Sequence, residues 1–195
     1  MSVQVKGSLL VDYARLIRAN KEIDWGQWLG PEEMEIINNE VMTSSWYSYR
    51  VFRTLAWACF QGVAGGDLEL TTTFGRFILQ NLMTVYPKVR VPDNPMASIN
   101  NFARFWQNFF QGDGMESLIT ESGENQITYK ISAPVDEKDM DAVNAFTGNF
   151  LESVAAFSYQ LGGMLMELVE QAGGRSPRFE VVSEGLTQYI TVQWK

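Results

Sequence analysis

Three changes of hydrophobic period predict an α+β fold in which an N-terminal helical bundle is followed by a strand-strand-helix-strand-strand antiparallel sheet unit. Apolar residues recur at helical spacing from Leu9, Leu10, Tyr13, Leu16 and Ile17 to Phe102, Phe105, Trp106, Phe109 and Phe110. After Gly112-Asp113-Gly114 the period falls to two, becomes helical again from Asp136, and returns to two beyond Gly173-Gly174. A chain of 195 residues suffices for one sizeable core, so 1–195 reads as a single domain with a helical part (1–112) and a sheet-plus-long-helix part (113–195).

Each element has its own signal. Ser8 stands where a helix cap is needed for the first helix. Pro31 opens the second, with Glu32 and Glu33 in its first turn and Met34, Ile37 and Val41 as its apolar face. Trp46 to Val63 follows Ser44 and Ser45 and is apolar on every side, the pattern of a central helix. Gly65-Gly66-Asp67 breaks it, and the threonines at 71–73 are placed to cap a helix carrying Phe74, Phe77, Ile78 and Leu82. Pro87, Pro92 and Pro95 mark an irregular connection before a helix from Met96 to Gln111. Met115 to Glu121 and Gln126 to Ser132 form a hairpin around Ser122-Gly123-Glu124-Asn125. A long helix from Asp136 to Ala172 buries Met140, Val143, Phe146, Phe150, Val154, Phe157 and Leu161. Phe179 to Ser183 and Leu186 to Trp194 make the second hairpin, with Ile190, Val192 and Trp194 on one face.

Composition excludes several functions. A net charge of -8, without a run of Lys and Arg interleaved with aromatics, repels a phosphate backbone, so no nucleic-acid partner is expected. Arg50 and Arg53 read as solvent-facing residues of a buried helix. Cys59 is the only cysteine, which rules out an internal disulfide and fits a reducing compartment. Met1 to Lys6 carries no secretory signal, and Thr54 to Ala64 is too short for a bilayer span, which takes ~20 residues. A cytoplasmic protein without a membrane span is expected.

The chain contains no histidine, the side chain on which neutral acid-base catalysis and most zinc sites depend. No catalytic residue, metal site or cofactor is therefore expected. Asp136, Glu137, Asp139 and Asp141 suit the positive end of a helix better than a cation loop. Gly62-Val63-Ala64-Gly65-Gly66 and Gly173-Gly174 each follow a helix, whereas a phosphate loop follows a strand. Cys59, in an apolar helix, reads as a core thiol, with metal or haem ligation as the alternative. The Phe102 to Phe110 stripe is core or the wall of an apolar cavity between the helical part and the sheet.

Lys6-Gly7-Ser8, Ser45-Trp46-Tyr47, Gly66-Asp67-Leu68, Gly75-Arg76 and Val192-Gln193-Trp194, in this order, resemble an uncharacterised paralogous family of myxobacteria and related bacteria. That layout is similar to haem-nitric-oxide/oxygen-binding (H-NOX) sensors and to vinyl-reductase-type small-molecule-binding domains. In H-NOX sensors a histidine ligates the haem iron and a Tyr-x-Ser-x-Arg motif holds the propionates. Here Tyr129 matches the first motif position, while Ile131 and Ala133 stand at the other two. The resemblance implies a ligand-responsive scaffold whose ancestral pocket is emptied, filled or retuned to another apolar molecule.

The resulting expectation is a non-enzymatic, sensor-like regulatory module that binds an apolar small molecule or a protein partner, with homodimerisation open. Its ligand-binding residues are expected to be Tyr129, Phe102, Trp106, Phe110 and Cys59. The alternatives are an enzyme using Tyr129 and a nearby Glu on a small hydrophobic substrate, and a haem protein ligated by Cys59, a tyrosine or a methionine.

Overall fold

The computed structural model describes residues 3–112, 116–132 and 150–195. Its elements are β1 (Gln4–Lys6), α1 (Val11–Ala19), α2 (Pro31–Asn38), β2 (Trp46–Ser48), α3 (Tyr49–Gly62), α4 (Leu68–Val85), α5 (Pro95–Trp106), β3 (Phe110–Gln111), β4 (Glu116–Gly123), β5 (Gln126–Ser132), α6 (Phe150–Gln171), β6 (Arg178–Glu184) and β7 (Thr187–Gln193). The architecture is α+β. The expected acidic cluster at 136–141, Met115, Ala133, Met140, Val143, Phe146 and the Phe150 side chain lie outside the description.

The second half forms an antiparallel sheet in the order β4-β5-β7-β6, built from the two expected hairpins joined through β5 and β7. Tyr129 pairs with Ile119 on one side and Ile190 on the other. Alternation puts Ile127, Tyr129 and Ile131 of β5 on the buried face together with Ile190 and Val192 of β7. Leu161, Leu165 and Leu168 of α6 belong to the same core, which continues without a break to Val5 of β1 and Leu55 of α3.

A second sheet, β2-β1-β3, was not legible in the sequence. It ties the N-terminus to residues 46–48 and 110–111, and it accounts for three departures from expectation. Ser8 caps nothing: it lies inside a 3₁₀ turn over Gly7–Leu9, where the Gly7 and Ser8 amides donate to the Ser45 and Thr43 carbonyls at 2.8 and 3.2 Å, and α1 begins only at Val11. Trp46 to Ser48 is strand, not helix, so α3 starts at Tyr49, capped by Ser48, whose Oγ accepts from the Val51 amide at 3.2 Å. The helix expected to reach Gln111 ends at Trp106, and Phe110 lies in β3.

Two other starts shift for reasons of capping. Asp67, not the threonine run, caps α4, accepting from the Glu69 amide at 2.7 Å. The threonines lie inside the helix and turn their hydroxyls back onto carbonyls four residues earlier, at 2.9 to 3.2 Å. Pro95 is not in an irregular connection but opens α5 behind the Asn94 cap. Arg53 departs furthest: it is buried, not solvent-facing, while Arg50 pairs with Glu32 and with the buried Glu33.

The short motifs hold elements together. A Cβ on Gly7 would lie 2.1 Å from the Met42 carbonyl oxygen, and the Met42 amide donates to the Tyr47 hydroxyl at 3.0 Å. Asp67 caps α4, and the Trp194 amide closes the β4–β5 turn onto the Asn125 carbonyl at 3.1 Å. Gly75 and Arg76 fix α4 to α6, Arg76 by reaching Glu170 and Glu167 at 2.6 and 3.3 Å.

Candidate functional site

An apolar cavity of ≈ 340 Å³ lies among α1, α3, α4 and α6. Leu16 comes from α1; Ala56, Trp57, Cys59 and Phe60 from α3; Leu70, Thr71, Thr73, Phe74 and Phe77 from α4; Ser153, Ala156, Phe157 and Gln160 from α6. Val63 and Ala64 complete the lining just past α3. Because Thr71 and Thr73 commit their hydroxyls to backbone carbonyls, the polar side chains remaining are Ser153 and Gln160. They are seven residues apart on α6, about two turns, and share a face.

Both polar groups are held from behind. Ser153 Oγ accepts from Arg53 Nη2 at 2.6 Å, and Gln160 Oε1 accepts from the Tyr13 hydroxyl at 2.8 Å. With Oε1 engaged by Tyr13, the Gln160 NH₂ group is the part of that amide left to donate. Burial pushes the Tyr13 phenol up. Burial likewise pushes the Cys59 thiol well above its ordinary range, which leaves it protonated and weakly nucleophilic. At the rim Leu70 and Phe77 are 52 % and 51 % exposed, an unusual setting for large apolar side chains beside a cavity.

Of the residues expected from the sequence to bind a ligand, Cys59 lines this cavity. The other four pack against one another. The Phe102 ring stacks on Trp106 at 5.3 Å and tilts against Tyr129 at 6.4 Å, and Trp106 meets Phe110 at 5.5 Å. The buried Tyr129 hydroxyl is hydrogen-bonded to Ser117, and burial pushes its phenol up. Phe157 belongs to both groups: its ring lies 6.5 Å from that of Trp106, and it also lines the cavity.

Sequence reasoning missed most of the lining. Trp57 and Phe60 were hidden in a helix apolar all round, and Gln160 in a helix whose buried side was read from apolar residues alone. Phe77 was the available signal, three residues beyond Phe74 on a helix whose face was already complete with Ile78 and Leu82. A wider surface groove of ≈ 520 Å³ beside α5 mixes Tyr86 and Phe105 with Lys88, Arg104 and Asn108, and is less suited to an apolar molecule.

The residues present do not reproduce the H-NOX haem site. The sequence offers no imidazole, Ile131 is buried where that motif has serine, and the Tyr129 hydroxyl is occupied by Ser117. Among the described residues there is no cluster of metal-ligating side chains, and no helix is long and apolar enough to cross a membrane.

No protein-family model and no curated protein matches the chain. Solved structures do. An Fe(II) unliganded H-NOX protein from K. algicida is 13 % identical, with a TM-score of 0.58 over 97 % of this chain and 96 % of that one. A mutant of T. Tengcongensis H-NOX is 11 % identical, with a TM-score of 0.59 over 97 % of each chain. A Cs H-NOX mutant carrying an unnatural amino acid is 8 % identical, with a TM-score of 0.60 over 97 % and 96 %. Identities this low leave the backbone as what is shared, and by that measure the chain has the fold of H-NOX domains.

Proposed function

We propose that this chain is a non-enzymatic, sensor-like binding module that takes an apolar small molecule among α1, α3, α4 and α6, and does not hold haem in the H-NOX manner. The cavity carries this reading: ≈ 340 Å³, aromatic and aliphatic apart from Ser153 and Gln160, is the size and composition of small-molecule sites. Cys59 is a lining residue. Phe102, Trp106, Phe110 and Tyr129 act as the rigid wall behind Phe157, in a position to pass a shift of that ring to the sheet. Bond-making chemistry finds little support, since the chain lacks histidine and both the Cys59 thiol and the Tyr129 phenol are held protonated by burial.

Native mass spectrometry of the purified protein tests this reading. One small molecule retained per chain and released on denaturation is expected. A bare chain that also shows no saturable uptake of decanol overturns it. A second reading, docking of a protein partner or a second copy, is favoured by the exposed Leu70 and Phe77 at the rim. Under that reading Phe77→Ser lowers the sedimentation coefficient of the complex.

A further inference from the structure

Arg53 is 1 % exposed and pairs with no carboxylate among the described residues. A guanidinium keeps its charge in any protein, and an unpaired buried charge is costly. The group lies 5.0 Å over the Phe157 ring, and the small void beside it is bounded by Tyr49, Ile131, Val154 and Leu186 together with Ser158 and Gln188, whose polar atoms are hydrogen-bonded to other groups. Nη2 donates to Ser153 Oγ, while Nε has no partner among the described residues. These two N–H groups lie on one edge of the guanidinium, the edge that matches a carboxylate with two parallel hydrogen bonds. Ser153 therefore fills half of a two-point acceptor site.

Ser153, the acceptor on that edge, connects Arg53 to the cavity. Ser153 and Phe157 both line it, and Phe157 also borders the void at Arg53. The void holds ≈ 10 Å³, at the lower limit for one water molecule and too little for an anion of its own. An anion reaching Arg53 has to be the end of a molecule whose body occupies the larger cavity, entering as Ser153 rotates aside. Among the described residues no side chain lining that cavity is charged, and the protein as a whole carries -8, so Arg53 is the feature here that attracts an anionic head group.

We infer that the ligand is an amphiphile with one anionic end, of the alkyl-carboxylate class, whose head group pairs with the Nε–Nη2 edge of Arg53 at the Ser153 corner of the cavity. The inference rests on the reading of the cavity as a ligand site and adds the polarity of the ligand. Its test is the affinity of the full chain for decanoate and for decanol, followed by tryptophan fluorescence. Decanoate is expected to bind about ten-fold or more tightly, the worth of a charge-assisted hydrogen bond. Arg53→Met is expected to remove that preference and retain decanol binding. Equal affinities in the unaltered protein would mean that a buried water alone serves Arg53, and would overturn the inference while leaving the cavity reading intact. A preference that persists in Arg53→Met overturns it as well, and saturable binding of neither compound overturns both. The comparison in the unaltered protein needs no variant, so it decides the matter even if Arg53→Met does not fold.

Discussion

Gly75 of α4 lies directly against the backbone of Gln160 in α6: a Cβ at position 75 would stand 2.0 Å from the Gln160 carbonyl oxygen. The approach is mutual, since a Cβ on Gly163 would stand 2.1 Å from the Thr72 carbonyl oxygen. At an open helix site Gly→Ala stabilises by up to ~1 kcal/mol. Here Gly75→Ala is expected to destabilise by ~1–3 kcal/mol or more, because two backbones must part. Urea denaturation measures the sign, and an unchanged or raised midpoint would mean that the helices do not touch at this point.

The hydrogen bond from Tyr13 to Gln160 sets the polarity of the cavity wall. Tyr13→Phe retains the ring contacts with Phe52 and Phe74 but strands the Gln160 carbonyl oxygen, at an expected cost of ~1–3 kcal/mol. Adding Gln160→Met removes the stranded group, so the double variant is expected to be more stable than the sum of the two single changes predicts. Strict additivity in a double-mutant cycle would show that the bond is not formed in solution.

Stability is expected to fall on the alkaline side. Tyr13, Tyr49, Tyr129 and Cys59 are all pushed up in the folded state by burial. In the unfolded chain these groups lose protons near their ordinary values, ~8.5 for Cys and ~10 for Tyr. Above about pH 9 the folded state therefore binds more protons than the unfolded state, and stability decreases as pH rises. Their contribution is fully present below that window. Unfolding free energy measured from pH 7 to 11 checks it, and a flat profile would contradict the burial of these groups.

Cys59 offers a chemical readout of the cavity. Its raised thiol pKa predicts labelling by a thiol-specific disulfide reagent at pH 8 at least about ten-fold slower than in the urea-unfolded chain, the factor that one pKa unit supplies. Decanol is expected to slow it further, since Cys59 lines the cavity. Labelling as fast in the folded as in the unfolded protein would place the thiol at the surface.

The sequence made the α+β class, both hairpins and the buried face of β7 legible, because alternation and helical spacing are written in local order. It concealed β1, β2 and β3, each of two or three residues, since their pairing depends on partners forty or more positions away. Asp67 and the following threonines were competing cap signals, and the side chain that bonds the free amides, not the longest polar run, marks the start of α4. Of the cavity lining, Cys59 alone was read from the sequence as a ligand-binding residue, because a helix that is apolar all round does not reveal which of its faces fails to meet a neighbour. Arg53 was misread for the same reason: spacing shows that Arg50 and Arg53 share a helix side, and only packing shows that Arg53 is enclosed.

The central claim is that the space bordered by Ala156, Trp57 and Phe77 is a binding site. A fluorescence titration with decanol, run on the unaltered chain and on Ala156→Leu, tests it most directly, because the larger side chain occupies that space. A single saturable site that vanishes in Ala156→Leu, with the folded state retained, is the predicted result. Identical titrations for the two proteins would contradict it.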